Sequence, residues 1–254
     1  MIATLQMYDW PEVRPATDLW WKAIADCLGV DVPLSRPADY TAPWLQDDLL
    51  FAQTCGYPFT HRLKGRVSYV ATPHYAADGC DGPGYCSIVF AREPKPLADF
   101  RGSVAAVNTA DSMSGMLALK LVFAPLAQQG RFFGTAVETG GHLASLTAVQ
   151  QGAADVCAID CICVELARRY RPAALEGLLE VARSPAVPGL PWVTRAGDAQ
   201  ALRAALRKVF ADGSLRDVRE ALLLRGFSDL PLSAYDRITA LEADMEKAGG
   251  LELL

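Results

Sequence analysis

No run in this 254-residue chain approaches the roughly 18 uninterrupted apolar residues of a membrane-spanning helix, so the sequence gives no membrane span. Charge of one sign is scarce in any one place. The 24 Lys and Arg are outnumbered by 29 Asp and Glu, net −5, with no basic stripe. Nucleic-acid binding rests on clustered Lys and Arg, so that class is set aside. A net negative protein can still hold an anion, because local N–H donors matter more than total charge. The three histidines are scattered, and the cysteine spacing does not suit zinc, so neither metal nor cofactor is implied. Seven cysteines, an odd number without a dense framework, do not make a disulfide scaffold. The N-terminus, Met1 to Asp9, lacks a basic start, an apolar segment and a cleavage site. Either a leader has been removed or the protein works in the cytoplasm.

What is present suits a globular protein able to bury one large core or two smaller ones. Apolar runs suggest strands near 2–7, 48–53, 67–71 and 85–91, with a helix over 16–28. From Phe100 a second alternation begins. Its strands lie near 103–107, 132–137, 156–160 and 178–182, and its helices near 114–127, 143–152 and 162–170. The Pro-rich segment Ser184–Pro191 reads as a crossing, followed by a strand over 192–194 and a helix over 198–210. The tail from Ser214 reads as amphipathic helices, with Ile238, Leu241 and Met245 on one packed face of 236–247. Alternating strands and helices predict an α/β fold with mainly parallel sheets. Two extended crossings predict two α/β lobes: residues 1–90 with 188–254, and an inserted lobe over 91–187. Cys80 and Cys86 flank a Gly/Pro turn and could meet across a hairpin, whereas Cys157, Cys161 and Cys163 read as buried thiols.

Ligands in such folds lie beyond the carboxyl ends of strands, and that is where the polar turns fall. They are Cys55–Pro58, Thr72–Tyr75, Asn108–Gly115 and Asp160, with Thr139–His142 opening a further helix. In the third, a buried strand runs into a helix that opens on Ser112, Met113, Ser114 and Gly115. The first N–H groups of a helix have no internal partner, and the dipole puts partial positive charge there. Small hydroxyl residues and a glycine let an oxyanion approach those groups. Each turn also has a plain reading: Ser112 or Asp160 as a helix cap, His142 as a cap or surface residue, Tyr57 as turn filler.

Several ordered motifs carry a resemblance. They are Gln53–Pro58; Gly65 through Thr72–Tyr75; Gly79-Cys80 with Tyr85–Ser87; Leu97–Gly102; Val107-Asn108 with Ser112–Gly115; Thr139–His142 with Ser145; Gly152–Val156 with Ile159-Asp160; and Pro188–Pro191. The set, over about residues 50–195, resembles the phosphate/phosphonate class of ABC-transporter substrate-binding proteins, which have the type II periplasmic binding-protein fold. The resemblance implies a non-enzymatic receptor that captures a small phosphorus oxyanion between two lobes and hands it to an ABC permease in the periplasm. It implies that the oxyanion binds Ser112 and Ser114 with the amides around Met113 and Gly115. Asn108 sits within the same motif. Tyr57 and Tyr85 would add hydroxyls, His142 a further donor, and Asp160 would receive a ligand amine. The absent export signal leaves a cytoplasmic ligand sensor open as an alternative. So does an enzyme with Cys55 or Cys161 as nucleophile and His142 as base. A sensor interface would draw on Trp10, Trp20, Trp21 or Trp44, although burial is the default for each.

Overall fold

Helix starts and stops follow the local chemistry of the chain. The computed structural model describes residues 1–253. Ile2–Thr4 (β1) is followed by Arg14–Leu28 (α1), which has Pro15 in its first turn and stops where Gly29 takes a left-handed φ of 68°. Leu49–Gln53 (β2), Gly56–Thr60 (α2) and Ser68–Tyr75 (β3) come next. Then follow Cys80–Asp81 (β4), Gly84–Tyr85 (β5), Ser87–Ala91 (β6) and Val104–Val107 (β7). A π-helical turn, Met113–Leu117, runs into Ala118–Phe123 (α3). Thr135–Glu138 (β8), His142–Gln150 (α4), Val156–Asp160 (β9) and Cys161–Tyr170 (α5) continue the alternation. The remainder is Leu179–Arg183 (β10), Val187–Pro188 (β11), Trp192–Thr194 (β12), Ala199–Ala211 (α6), Arg216–Ala221 (α7), Leu224–Ser228 (β13) and Asp236–Lys247 (α8).

The chain divides into two compact units, Met1–Ala76 with Gly189–Ala234, and Ala77–Pro188 with Tyr235–Leu254. Unit 1 carries a sheet of order β1-β2-β12-β3-β13. Its core packs Trp20, Trp21 and Ile24 of α1 with Leu202, Leu206 and Val209 of α6 around Phe51 and Trp192. Unit 2 carries a sheet of order β10-β6-β9-β7-β8, plus a small sheet of order β11-β5-β4. Its core centres on Phe123, which is fully buried and in ring contact with Phe100, Phe132 and Phe133.

Three features differ from the sequence pattern. The sheets are mixed: β1–β2, β7–β9 and β7–β8 are parallel, whereas β12, β13, β6 and β10 run antiparallel to their neighbours. A parallel pair needs a long crossover; β12 instead enters its sheet straight from the extended Pro-rich segment and runs antiparallel to both β2 and β3. Thr72–Tyr75 is not a turn but the second half of β3, held by β13, a strand inside the tail that reads as helical. The division itself falls elsewhere than at 90/91 and 187/188. β6 lies between β9 and β10 in unit 2, so 77–90 go with that unit. α8 does too: Arg237 donates to the Ala186 carbonyl at 2.7 Å, Glu252 N to the Gly130 carbonyl at 2.9 Å, and Leu251 is buried in that core.

Candidate functional site

Two neighbouring strand ends of unit 2 place the polar groups. β7 is buried over Ala105–Val107 and delivers Asn108 at its end. The parallel pairing with β8 is extended beyond both strands: Thr139 N donates to the Val107 carbonyl and Gly140 N to the Asn108 carbonyl, each at 2.8 Å. Gly140 has φ 84°, a backbone shape that glycine adopts without strain, and it turns the chain into α4 with His142 as first residue. The Thr139 hydroxyl lies 2.6 Å from the Ser145 hydroxyl and fixes that turn against the helix.

On the other side, Ser112 is extended and caps the turn that follows, its Oγ accepting from Gly115 N at 3.0 Å. Leu117 N reaches back to the Ser112 carbonyl at 3.0 Å and Ala118 N to that of Met113, the wide i→i+5 pattern of a π turn. Gly115 has no room for a side chain: a Cβ there would stand 1.8 Å from Asn108 Oδ1. Met113 is buried, so its side chain is packing rather than a ligand contact.

The two halves meet at Ser114 and His142. Ser114 Oγ lies 2.9 Å from His142 Nε2 and 3.5 Å from Ser112 Oγ. Burial pushes the His142 pKa down to about 4, so the imidazole is neutral at pH 7. Two buried atoms here, His142 Nδ1 and Asn108 Oδ1, have no hydrogen-bond partner among the described residues. The pair holds two hydrogens, one on the hydroxyl and one on the neutral ring, and their mutual bond uses one. With Nδ1 protonated, the Ser114 hydroxyl donates to Nε2 and the Nδ1 hydrogen is left for a ligand; with Nε2 protonated, the ring donates to Ser114, whose own hydrogen can then go to Ser112 or to a ligand.

The structure therefore brings Asn108, Ser112, Met113, Ser114, Gly115 and His142 into one cluster. Asp160 ends β9, is 2% exposed, and caps α5 by accepting from Ile162 N at 2.8 Å. Its cap role from the plain reading is thus real. Tyr85 is buried in β5. Tyr57 belongs to unit 1, in α2, where its ring stacks on His61 at 3.9 Å. The Thr139–Ser145 latch has a role that the motif did not reveal. The arrangement gives no support to a cysteine nucleophile. His142 bonds Ser114 and no cysteine, and neighbouring thiols and burial raise the Cys161 pKa. Trp20, Trp21 and Trp44 are buried, which removes them from any interface.

A sequence model for one protein family, described as the periplasmic phosphonate substrate-binding protein of an ABC transporter, matches residues 45–235. No curated protein sequence matches the chain. Among solved structures, PhnD1 from Prochlorococcus marinus in complex with methylphosphonate is similar at TM-score 0.78 and 15% identity, covering 97% of this chain and 98% of that one. A binding-protein component of an ABC phosphonate transporter from Pseudomonas aeruginosa gives TM-score 0.76 and 18% identity over 98% and 87%. A Xanthomonas citri protein bound to chloride ion gives 0.71 and 17% over 98% of both chains. At such identities the likenesses show the fold, that of the type II periplasmic binding proteins.

Proposed function

This chain belongs to the periplasmic phosphonate substrate-binding family of ABC transporters, and on that premise we propose that it captures a small phosphorus oxyanion for an ABC permease, without catalysis. Phosphate, phosphite and the phosphonates share the tetrahedral P–O⁻ group that the site of unit 2 suits. The observation that carries the reading is the Ser114–His142 pair at 2.9 Å, with a second serine hydroxyl beside it and an unpartnered ring nitrogen. An oxyanion needs several converging donors, and charge-assisted hydrogen bonds are roughly twice as strong as neutral ones. The Ser112 hydroxyl, the spare Ser–His hydrogen and the partial positive charge at the helix start supply them without a Lys or Arg. A neutral histidine also means that no buried cation has to be stabilised without its ligand.

Asp160, at the end of β9, is the position at which a ligand amine would be received. Calorimetric titration with methylphosphonate, the ligand bound to PhnD1, and with phosphite tests the placement. Ser112→Ala with Ser114→Ala should raise the Kd about a hundredfold or more, from roughly 1.5 kcal/mol or more per charged hydrogen bond. Unchanged affinity in a folded double variant sinks this placement.

A further inference from the structure

Outside the oxyanion site, unit 2 gathers three thiols. Cys80 of β4 and Cys161, the first residue of α5, have their sulfurs 3.5 Å apart. The Cys86 thiol hydrogen-bonds Cys161 as well, and Cys161 N donates to the Cys86 carbonyl at 3.2 Å. Gly79 makes the cluster possible, since a Cβ there would stand 2.9 Å from Cys86 Sγ and 3.0 Å from Cys161 Cβ. Eighty-odd residues separate the two chain segments, so only the fold brings these sulfurs together. Among the described residues no group of histidine, cysteine and carboxylate side chains is arranged to hold a metal ion. Cys161 is 1% exposed and Cys86 7%, whereas Cys80 is half-buried.

We propose that Cys80 and Cys161 are a redox modification site, which a small-molecule disulfide such as oxidised glutathione converts to a protein disulfide. Cys80 is the entry thiol because it alone of the three is reachable. It gives up its proton and its sulfur attacks one glutathione sulfur. That S–S bond breaks, a mixed disulfide forms and one glutathione leaves as thiol. Cys161 then gives up its proton and attacks the Cys80 sulfur, releasing the second glutathione. Two protein thiols are oxidised by two electrons, and one glutathione disulfide is reduced to two thiols. The sulfurs close from 3.5 Å to a bond of about 2.05 Å. The bond ties the β4–β5 hairpin to the start of α5 and closes a loop of roughly eighty residues, which restricts the unfolded chain.

The test is peptide mapping of the native chain after incubation with excess oxidised glutathione, alkylation and digestion without reductant. Reading at peptide level sets aside the exposed Cys27, which takes up glutathione itself. The expected product is a Cys80 peptide linked to a Cys161 peptide, two hydrogens lighter than the pair, and lost on adding dithiothreitol. Cys161→Ser should stop the reaction at the Cys80–glutathione adduct, and Cys86→Ser should leave the linkage intact. A Cys80–glutathione adduct that persists in the native chain overturns the proposal. So does linkage of Cys86 to either of the other two.

Discussion

His142 ties the chemistry of the site to the stability of the fold. Its pKa of about 4 in the folded chain lies below the ordinary 6.5, because burial disfavours the charged ring. Between those values the unfolded chain binds a proton that the folded chain does not. Stability is therefore full above about pH 6.5 and falls as the pH drops toward about 4. Urea unfolding at a series of pH values should show a steeper acid loss for the native chain than for His142→Gln. Burial lowers the His74 pKa too, but His74 is present in both proteins and cancels. Equal slopes would mean that His142 is not held neutral by the fold. The sequence named His142, Ser112 and Ser114 through the ordered motif. It did not show that Ser114 and His142, 28 positions apart, bond each other, because that depends on how β7 and β8 end side by side.

At the scale of elements, the π turn over Met113–Leu117 is the feature on which the site depends. A helix beginning there was legible from the apolar run after Gly115; its wide first turn was not, since no residue type marks an i→i+5 bond. Gly115 is what lets the turn pack on Asn108. Gly115→Ala should lose about 1–3 kcal/mol to overpacking, measured by chemical denaturation, with Asn108→Ala in the same chain recovering part of it. A Gly115→Ala chain as stable as the native one would show that Asn108 moves away without cost. β13 escaped the pattern for a different reason. The chain turns from α7 into β13 at Leu223, buried and at φ 60°, where a glycine would ordinarily announce the stop. β9 and α8, by contrast, were readable to the residue, because five apolar or capping residues in a row and a single packed face leave little choice.

At the scale of the whole molecule, the two units are each discontinuous in sequence, and periodicity carries no information on which unit a terminal helix joins. α8 was legible as a helix with Ile238 and Met245 inward. Its place on unit 2 depends on partners more than a hundred residues earlier, such as Lys120, 4.0 Å from Glu246, and Gly130. Family membership rests on residues 45–235, the part that holds every site residue named from the sequence. The central claim is that this chain binds a phosphorus oxyanion. It is tested most directly by a thermal-shift titration of the purified protein against phosphate, phosphite, methylphosphonate, 2-aminoethylphosphonate and sulfate. At about a hundred times its Kd a true ligand adds nearly 3 kcal/mol, a rise of several degrees. The account predicts that rise with at least one of the four phosphorus compounds, and its loss in the Ser112→Ala, Ser114→Ala chain. A chain that none of the four stabilises would contradict it.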